Sequence, residues 1–120
     1  MKRKTIFKYV KEKYNTIPEY PWDHLPDYAV LRHENNEKWY GLIMNVEKKK
    51  LDLGGEETID ILDLKCSPEL VGSLQKEHGF LPAYHMNKEH WITVILNTQK
   101  KEKILELLDA SYELTKDNSS

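Results

Sequence analysis

Residues 63–96, DLKCSPELVGSLQKEHGFLPAYHMNKEHWITVIL, constrain the fold more than any other part of the chain. Ser67-Pro68-Glu69 reads as a helix start. A serine hydroxyl accepts from free backbone N–H groups, proline suits the first turn, and a carboxylate suits the positive end of the helix dipole. Leu70, Val71, Leu74 and His78 then recur on one face at helical spacing. Gly79 supplies the left-handed C-terminal residue and Pro82 bars any continuation, so the pattern predicts a helix over 67–79. A hairpin over 82–96 follows, turning at Asn87-Lys88-Glu89. In its second strand Trp91, Thr93 and Ile95 oppose Ile92, Val94 and Leu96. A half-apolar helix followed by a half-apolar hairpin calls for a helix layer packed on a sheet.

The rest of the chain supplies both layers. A first helix is expected over 2–14, with Ile6, Tyr9, Val10 and Lys13 or Tyr14 as its buried stripe. Pro18, Pro21 and Pro26 exclude a regular element from 15–27, and Tyr20 and Trp22 are expected to fold that connector back onto the domain. Strands are expected over 28–33, 38–46 and 58–65. Asn35-Asn36 marks a turn of the hairpin kind, and residues 47–57 form a charged connection. In the second strand Tyr40, Leu42, Met44 and Val46 share one face, and Trp39, Gly41, Ile43 and Asn45 the other. Both faces are apolar, which suits a central strand, and Gly41 marks a close approach to the backbone. A last helix is expected over 100–114, with 115–120 frayed. The order α-β-β-β-α-β-β-α, with short connections, predicts an antiparallel sheet of about five strands with helices on one face: a two-layer α+β sandwich forming one domain over 1–120.

Charge and cysteine content narrow the function. The net charge of −2 counts against a dedicated nucleic-acid binder. Its distribution is uneven. Lys2, Arg3, Lys4, Lys8, Lys11 and Lys13 crowd the first helix, whereas Asp52, Glu56, Glu57, Asp60 and Asp63 crowd 51–64. Such runs either face each other or face water. No apolar run approaches the roughly 20 residues of a membrane span, and no apolar segment follows the basic start to make a secretory signal. The single cysteine, Cys66, fits a reducing cytoplasm.

Chemistry-bearing residues form no catalytic motif. His78, His85, His90 and Cys66 lack the spacing of a zinc site. The acidic set lacks the spacing of a calcium loop and reads as solvated charge at a sheet edge. Cys66 precedes a helix N-terminus, where a thiol pKa falls, but no base is placed beside it. Gly54-Gly55 has no phosphate-loop context. A nucleic-acid surface is the remaining possibility. Lys48, Lys49 and Lys50 sit on one connection and Lys88 and His90 on another, with Trp39, Tyr84 and Trp91 in the strands beside them. Cations contact phosphates and rings stack on bases, although Trp39 and Trp91 equally suit a core.

Several short pieces are more telling together. They are Pro21-Trp22, Lys38, Leu64-Lys65-Cys66 before Ser67-Pro68-Glu69, Gly79, Pro82-Ala83, His85, Asn87-Lys88, His90-Trp91 and Ser111-Tyr112. In this order the chain resembles the MmcQ/YjbR-like family. The resemblance implies a fold similar to frataxin's and a role in DNA binding through two hairpin wings, here the 46–58 connection and the 86–90 tip. Lys65, Asn87, Lys88, His90 and Trp91 match the family motif; the acidic balance and Glu56-Glu57 depart from it. Frataxin-like folding invites an iron hypothesis, which fold analogy alone does not carry. The expectation is therefore a small cytoplasmic monomer without cofactor, metal or catalytic centre. DNA is its candidate partner, through Lys48, Lys49, Lys50, Lys65, Asn87, Lys88 and His90. The alternative is a protein- or small-ligand-binding domain that uses Tyr84, His85 and Trp91.

Overall fold

The structure, a computed structural model, describes residues 1–116. In chain order it contains α1 (Arg3–Tyr14), β1 (Ala29–Arg32), β2 (Trp39–Glu47), a 3-10 turn (Lys48–Leu51), β3 (Thr58–Lys65), α2 (Pro68–Leu74), β4 (Phe80–Pro82), β5 (Trp91–Ile95), a second 3-10 turn (Leu96–Thr98) and α3 (Lys101–Thr115). The expected α+β order is thus the observed one. All strand pairs are antiparallel, and the sheet runs β1-β2-β3-β5-β4. Of the tail expected to fray, Thr115 is buried and closes α3; the remainder from 117 lies outside the described residues.

The three helices cover one sheet face. Ile6 and Val10 of α1, Val71 and Leu74 of α2, and Ile104, Leu107 and Leu108 of α3 pack with Leu31, Ile43, Leu62, Leu64, Ile92 and Val94 from the strands. Each fully buried Leu or Ile contributes about 2 kcal/mol of transfer free energy, so this layer dominates stability. Tyr14, not Lys13, completes the stripe of α1, stacking on Tyr112 of α3 at 3.7 Å between ring centroids. Asn15 ends α1 in the left-handed conformation (φ 57°), and its N–H bonds to the Lys11 carbonyl at 3.0 Å.

The opposite face is not bare. Val30, Leu42, Met44, Val46, Ile59, Ile61 and Ile95 form a second buried cluster there. Trp22 and Tyr28 of the connector, Trp39 of β2, Leu51 and Leu53 from one loop, and Leu81, Tyr84 and Met86 from another pack against it. Trp22 folds back as expected; Tyr20 does not, and remains 51% exposed.

Four local expectations are corrected. First, α2 stops at Leu74, so His78 is exposed and off the helix. The chain must turn early because Phe80 already pairs with Val94 on β5. Second, β4 precedes its expected position and is short, which leaves 83–90 as an eight-residue loop instead of a tight turn. Pro82 is tolerated because β4 is an edge strand. Third, the β1–β2 connection is a wider loop in which Glu37, not an asparagine, is left-handed (φ 61°); Asn36 Oδ1 instead accepts from the Lys38 N–H at 2.8 Å. Fourth, the register of β1 on β2 slips, pairing Leu31 with Gly41 but Arg32 with Trp39. This bulge reverses the expected faces at the start of β2: Tyr40 turns into the helix layer and Trp39 joins the opposite cluster. Gly41 does mark a close approach, since a Cβ there would lie 3.1 Å from Leu31 Cδ1.

Candidate functional site

Alternation along β3 places Ile59, Ile61 and Asp63 on the face away from the helices. Asp63 is fully buried, contrary to its reading as solvated edge charge. It pairs across the sheet with Thr93 of β5, whose hydroxyl donates to Asp63 Oδ1 at 2.5 Å. Thr93 Oγ1 in turn accepts from the Tyr84 backbone N–H at 2.8 Å, so the carboxylate anchors the start of the 83–90 loop through one hydroxyl. Asp63 Oδ2 accepts no hydrogen bond from the described residues. Burial pushes the carboxyl up to about 7, against the hydrogen bond from Thr93 and the charge of Lys88, which both favour the ionised form.

Trp22, Tyr28, Trp39 and Tyr84 pack on the apolar cluster of this same sheet face. The Tyr28 phenol is raised above its ordinary pKa first by burial, then by the Tyr84 phenol and the Asp63 charge. Trp22 stands edge-on to Tyr28 (centroids 6.1 Å, interplanar 83°) and to Trp39 (5.8 Å, 81°). Trp22, Tyr28, Trp39 and Tyr84 are all partly buried. Lys88 is exposed, and its Nζ donates to the Ala83 carbonyl at 2.9 Å. The arrangement is a desolvated carboxyl with one oxygen bonded and one unpartnered among the described residues, on the sheet face that carries the second apolar cluster.

The residues singled out from sequence do not converge. Lys48 pairs with Glu57 at 3.4 Å; Lys49 and Lys50 pair with Glu47 at 3.2 and 3.8 Å. Lys65 ends β3, and its backbone N–H donates to Ser111 Oγ at 3.0 Å. Asn87 Oδ1 accepts from the N–H groups of Glu89 and His90 at 2.8 and 3.2 Å, which makes it a turn residue. His90 is exposed, and its carbonyl accepts from the Cys66 N–H at 2.9 Å. His85 is exposed and left-handed (φ 64°), with its ring 4.0 Å from that of Tyr84. Trp91 is 7% exposed, so its ring is sheet packing and not a stacking platform. Among these residues only Tyr84 is linked to Asp63, through Thr93; Trp22, Tyr28 and Trp39 share the same sheet face. The available signal was parity: Asp63 continues the Ile59, Ile61 alternation.

Several other charged side chains are paired. Arg3 of α1 reaches Asp60 at 3.2 Å, joining the basic helix to the acidic segment. Lys13 and the Tyr9 hydroxyl bond Asp109 Oδ2 at 3.0 and 2.7 Å, and the Tyr14 hydroxyl bonds its other oxygen. A groove of about 680 Å³ lies between the connector and the β1–β2 loop, but its principal polar groups are paired: Arg32 with Glu19 at 2.6 Å and His33 Nε2 with Thr115 Oγ1 at 2.8 Å. Cys66 is buried, and burial raises its thiol to about 11, outweighing any effect of the following helix. Among the described residues no three His, Cys, Asp or Glu side chains gather as metal ligands, and no helix is long and apolar enough to cross a membrane.

Comparison with known proteins places this geometry. The YjbR family model matches residues 11–114. YyaQ of Bacillus subtilis (strain 168), described as uncharacterized, is 54% identical over 115 residues, 95% of this chain and 98% of its own. The crystal structure of a Pseudomonas syringae protein matches with a TM-score of 0.94 at 49% identity, over 97% of this chain and 100% of that one. That of a Deinococcus radiodurans protein with a DUF419 domain matches with a TM-score of 0.74 at 26% identity, over 98% and 80%. The chain belongs to the YjbR family.

Proposed function

We propose that this protein is a small cytoplasmic, non-enzymatic binding module that takes a small ligand on the face of the sheet away from the helices, under the 83–90 loop. One observation carries this reading: Asp63 is fully buried, and its Oδ2 has no partner among the described residues. Buried polar atoms are almost always satisfied, and an unsatisfied one costs about 1–3 kcal/mol. A ligand donor that reaches Oδ2 recovers that cost. The partly buried rings of Trp22, Tyr28, Trp39 and Tyr84 pack on the apolar cluster of the same sheet face, and small-ligand sites are mostly apolar around a few polar groups.

Duplex DNA on two wings is the reading that the family resemblance favours, and the geometry lends it less. The register of β3 against β2 and β5 puts the 48–57 tip at one end of the sheet and the 83–90 loop at the other. The eight residues of β3 separate them, roughly 25 Å at the usual strand rise. Lys48, Lys49, Lys50 and Lys88 each have a carboxylate or carbonyl partner to give up before meeting a phosphate.

The test is a titration of ¹⁵N-labelled protein with a panel of cationic, anionic and neutral polar fragments, and separately with duplex DNA at low salt. Fragment-dependent shifts clustered on Tyr28, Trp39, Asp63, Tyr84 and Lys88 are the expected result. Shifts confined to the 48–57 and 86–90 tips on adding DNA, with no fragment touching the aromatic face, would overturn it.

A further inference from the structure

We propose that the groove between the connector and the β1–β2 loop is a second binding site, for a small organic ammonium, with His33 Nδ1 as the acceptor at its floor and Glu34 and Glu37 at its rim. Neither Asp63 nor the rings of Trp22, Tyr28, Trp39 and Tyr84 line it, so it stands apart from the binding face above.

The groove holds about 680 Å³, within the roughly 300–1,000 Å³ of small-molecule sites. His33 lines it and is only 4% exposed. The hydrogen bonds around His33 fix its tautomer. Thr115 Oγ1 has one proton and donates it to the Ser111 carbonyl at 2.8 Å. His33 Nε2, 2.8 Å from that same oxygen, therefore carries the ring proton and donates. Nδ1 keeps its lone pair. It has no hydrogen-bond partner among the described residues, yet it is not sealed from solvent as Asp63 Oδ2 is. On a ring that is otherwise buried in the groove lining, that acceptor opens onto the groove. Burial holds the imidazole below its ordinary pKa; the Tyr112 carbonyl and Glu113 oppose this and the Lys38 charge adds to it, so the ring is neutral at pH 7.

The charges on the lining select a cation. Arg32 is held by Glu19 through two bonds of 2.6 and 2.7 Å, and Lys116 by Glu113 at 2.6 Å. Glu34 and Glu37 are exposed and form no ion pair among the described residues. An anion entering here meets two free carboxylates and a lone pair, and must break the Arg32–Glu19 pair to find a partner. An ammonium donates to Nδ1 and is drawn to both carboxylates. Ile17, 69% exposed, gives an apolar body a surface to rest on. A metal ion fits less well, because no three His, Cys, Asp or Glu side chains gather among the described residues.

Benzylammonium, benzyl alcohol and benzoate share a phenyl ring and carry a cationic donor, a neutral donor and an anion. Each is titrated into ¹⁵N-labelled full-length protein at pH 7.5, with the His33 ring nitrogens followed in long-range ¹H–¹⁵N spectra. In the free protein Nε2 should be the protonated nitrogen. Benzylammonium should shift the amides of Ile17, Glu34 and Glu37 and move Nδ1 upfield as it accepts a hydrogen bond. Benzyl alcohol should bind about tenfold more weakly, and benzoate more weakly still. His33→Phe keeps the ring and removes the acceptor, and should lower benzylammonium affinity about tenfold. The double change Glu34→Gln with Glu37→Gln, at exposed positions, should lower it about fivefold and serves should His33→Phe fold poorly. A protonated Nδ1 in the free protein, benzoate binding as tightly as benzylammonium, affinity unchanged in the double variant, or no shift at Ile17, Glu34, Glu37 and Nδ1 with benzylammonium would each overturn the proposal. None of these results bears on Asp63, whose face is read from the separate signals of Asp63 and Tyr84.

Discussion

Asp63→Asn keeps the shape of the side chain and removes its charge, so it isolates the cost of a buried carboxylate. In the folded protein burial raises this carboxyl to about 7, with Thr93 and Lys88 pulling the other way. In the unfolded chain it titrates near 3.9. Between these values the unfolded chain has lost the proton and the folded protein has kept it, so stability falls as pH rises. About three pH units at roughly 1.4 kcal/mol each give a loss of about 4 kcal/mol, complete above pH 7. Asparagine has no such slope. It brings amide donors that Oδ2 did not have, and leaving them unpaired costs about 1–2 kcal/mol. The two stability curves should therefore cross. Near pH 4.5 the native protein should be more stable by no more than about 1 kcal/mol, and near pH 8 the variant by about 2–3 kcal/mol. Urea unfolding followed by tryptophan fluorescence reads this directly, because a slope of about 1–3 kcal/mol per molar turns the gap at pH 8 into a midpoint rise of about 1–2 M. Parallel curves with a constant gap from pH 4.5 to 8 would refute the reasoning.

Other substitutions test the frame around the site. Gly79→Ala should cost about 3 kcal/mol or more in urea unfolding; the residue has φ 89°, and an added Cβ would lie 2.0 Å from Thr98 Oγ1. A cost below about 0.5 kcal/mol would show that no such overlap exists. Ser111→Ala should cost about 2–3 kcal/mol, because its hydroxyl donates to the Tyr40 carbonyl at 2.6 Å and accepts from the Lys65 N–H at 3.0 Å, tying α3 to two strands; stability within about 0.5 kcal/mol of the native protein would contradict the bridge. Cys66 should resist iodoacetamide at pH 8 in native protein and react readily in denaturant, given its burial and its thiol raised to about 11. Equal rates in the two conditions would contradict that burial.

The architecture was legible because it is written in local chemistry. The α2 cap is as the sequence implies: the Leu70 N–H donates to Ser67 Oγ at 3.3 Å, with Pro68 at the first helical position and Glu69 in the first turn. The end of α2 was not legible. Gln75-Lys76-Glu77 favour a helix, and what stops it is the pairing of Phe80 with Val94 across the sheet. Gly79 was recognised as left-handed, but it serves a fit against Thr98 instead of a helix cap. The faces of Trp39 and Tyr40 were inverted because a bulge leaves no trace in an alternating pattern. Asp63 was assigned to solvent because its neighbours in sequence, Asp52, Glu56, Glu57 and Asp60, are acidic and not buried. Its parity with Ile59 and Ile61 was visible. That the connector and the 83–90 loop bring Trp22, Tyr28 and Tyr84 over that face was not, since no periodicity encodes how a loop folds back.

The state of the Asp63 carboxyl is the most direct test of the binding face. Following its ¹³Cγ shift by NMR from pH 4 to pH 9, we expect a midpoint near 7 in the free protein. A midpoint near 4, the ordinary value for an exposed aspartate, would show that the group is in water, and the binding face would have no acceptor at its floor.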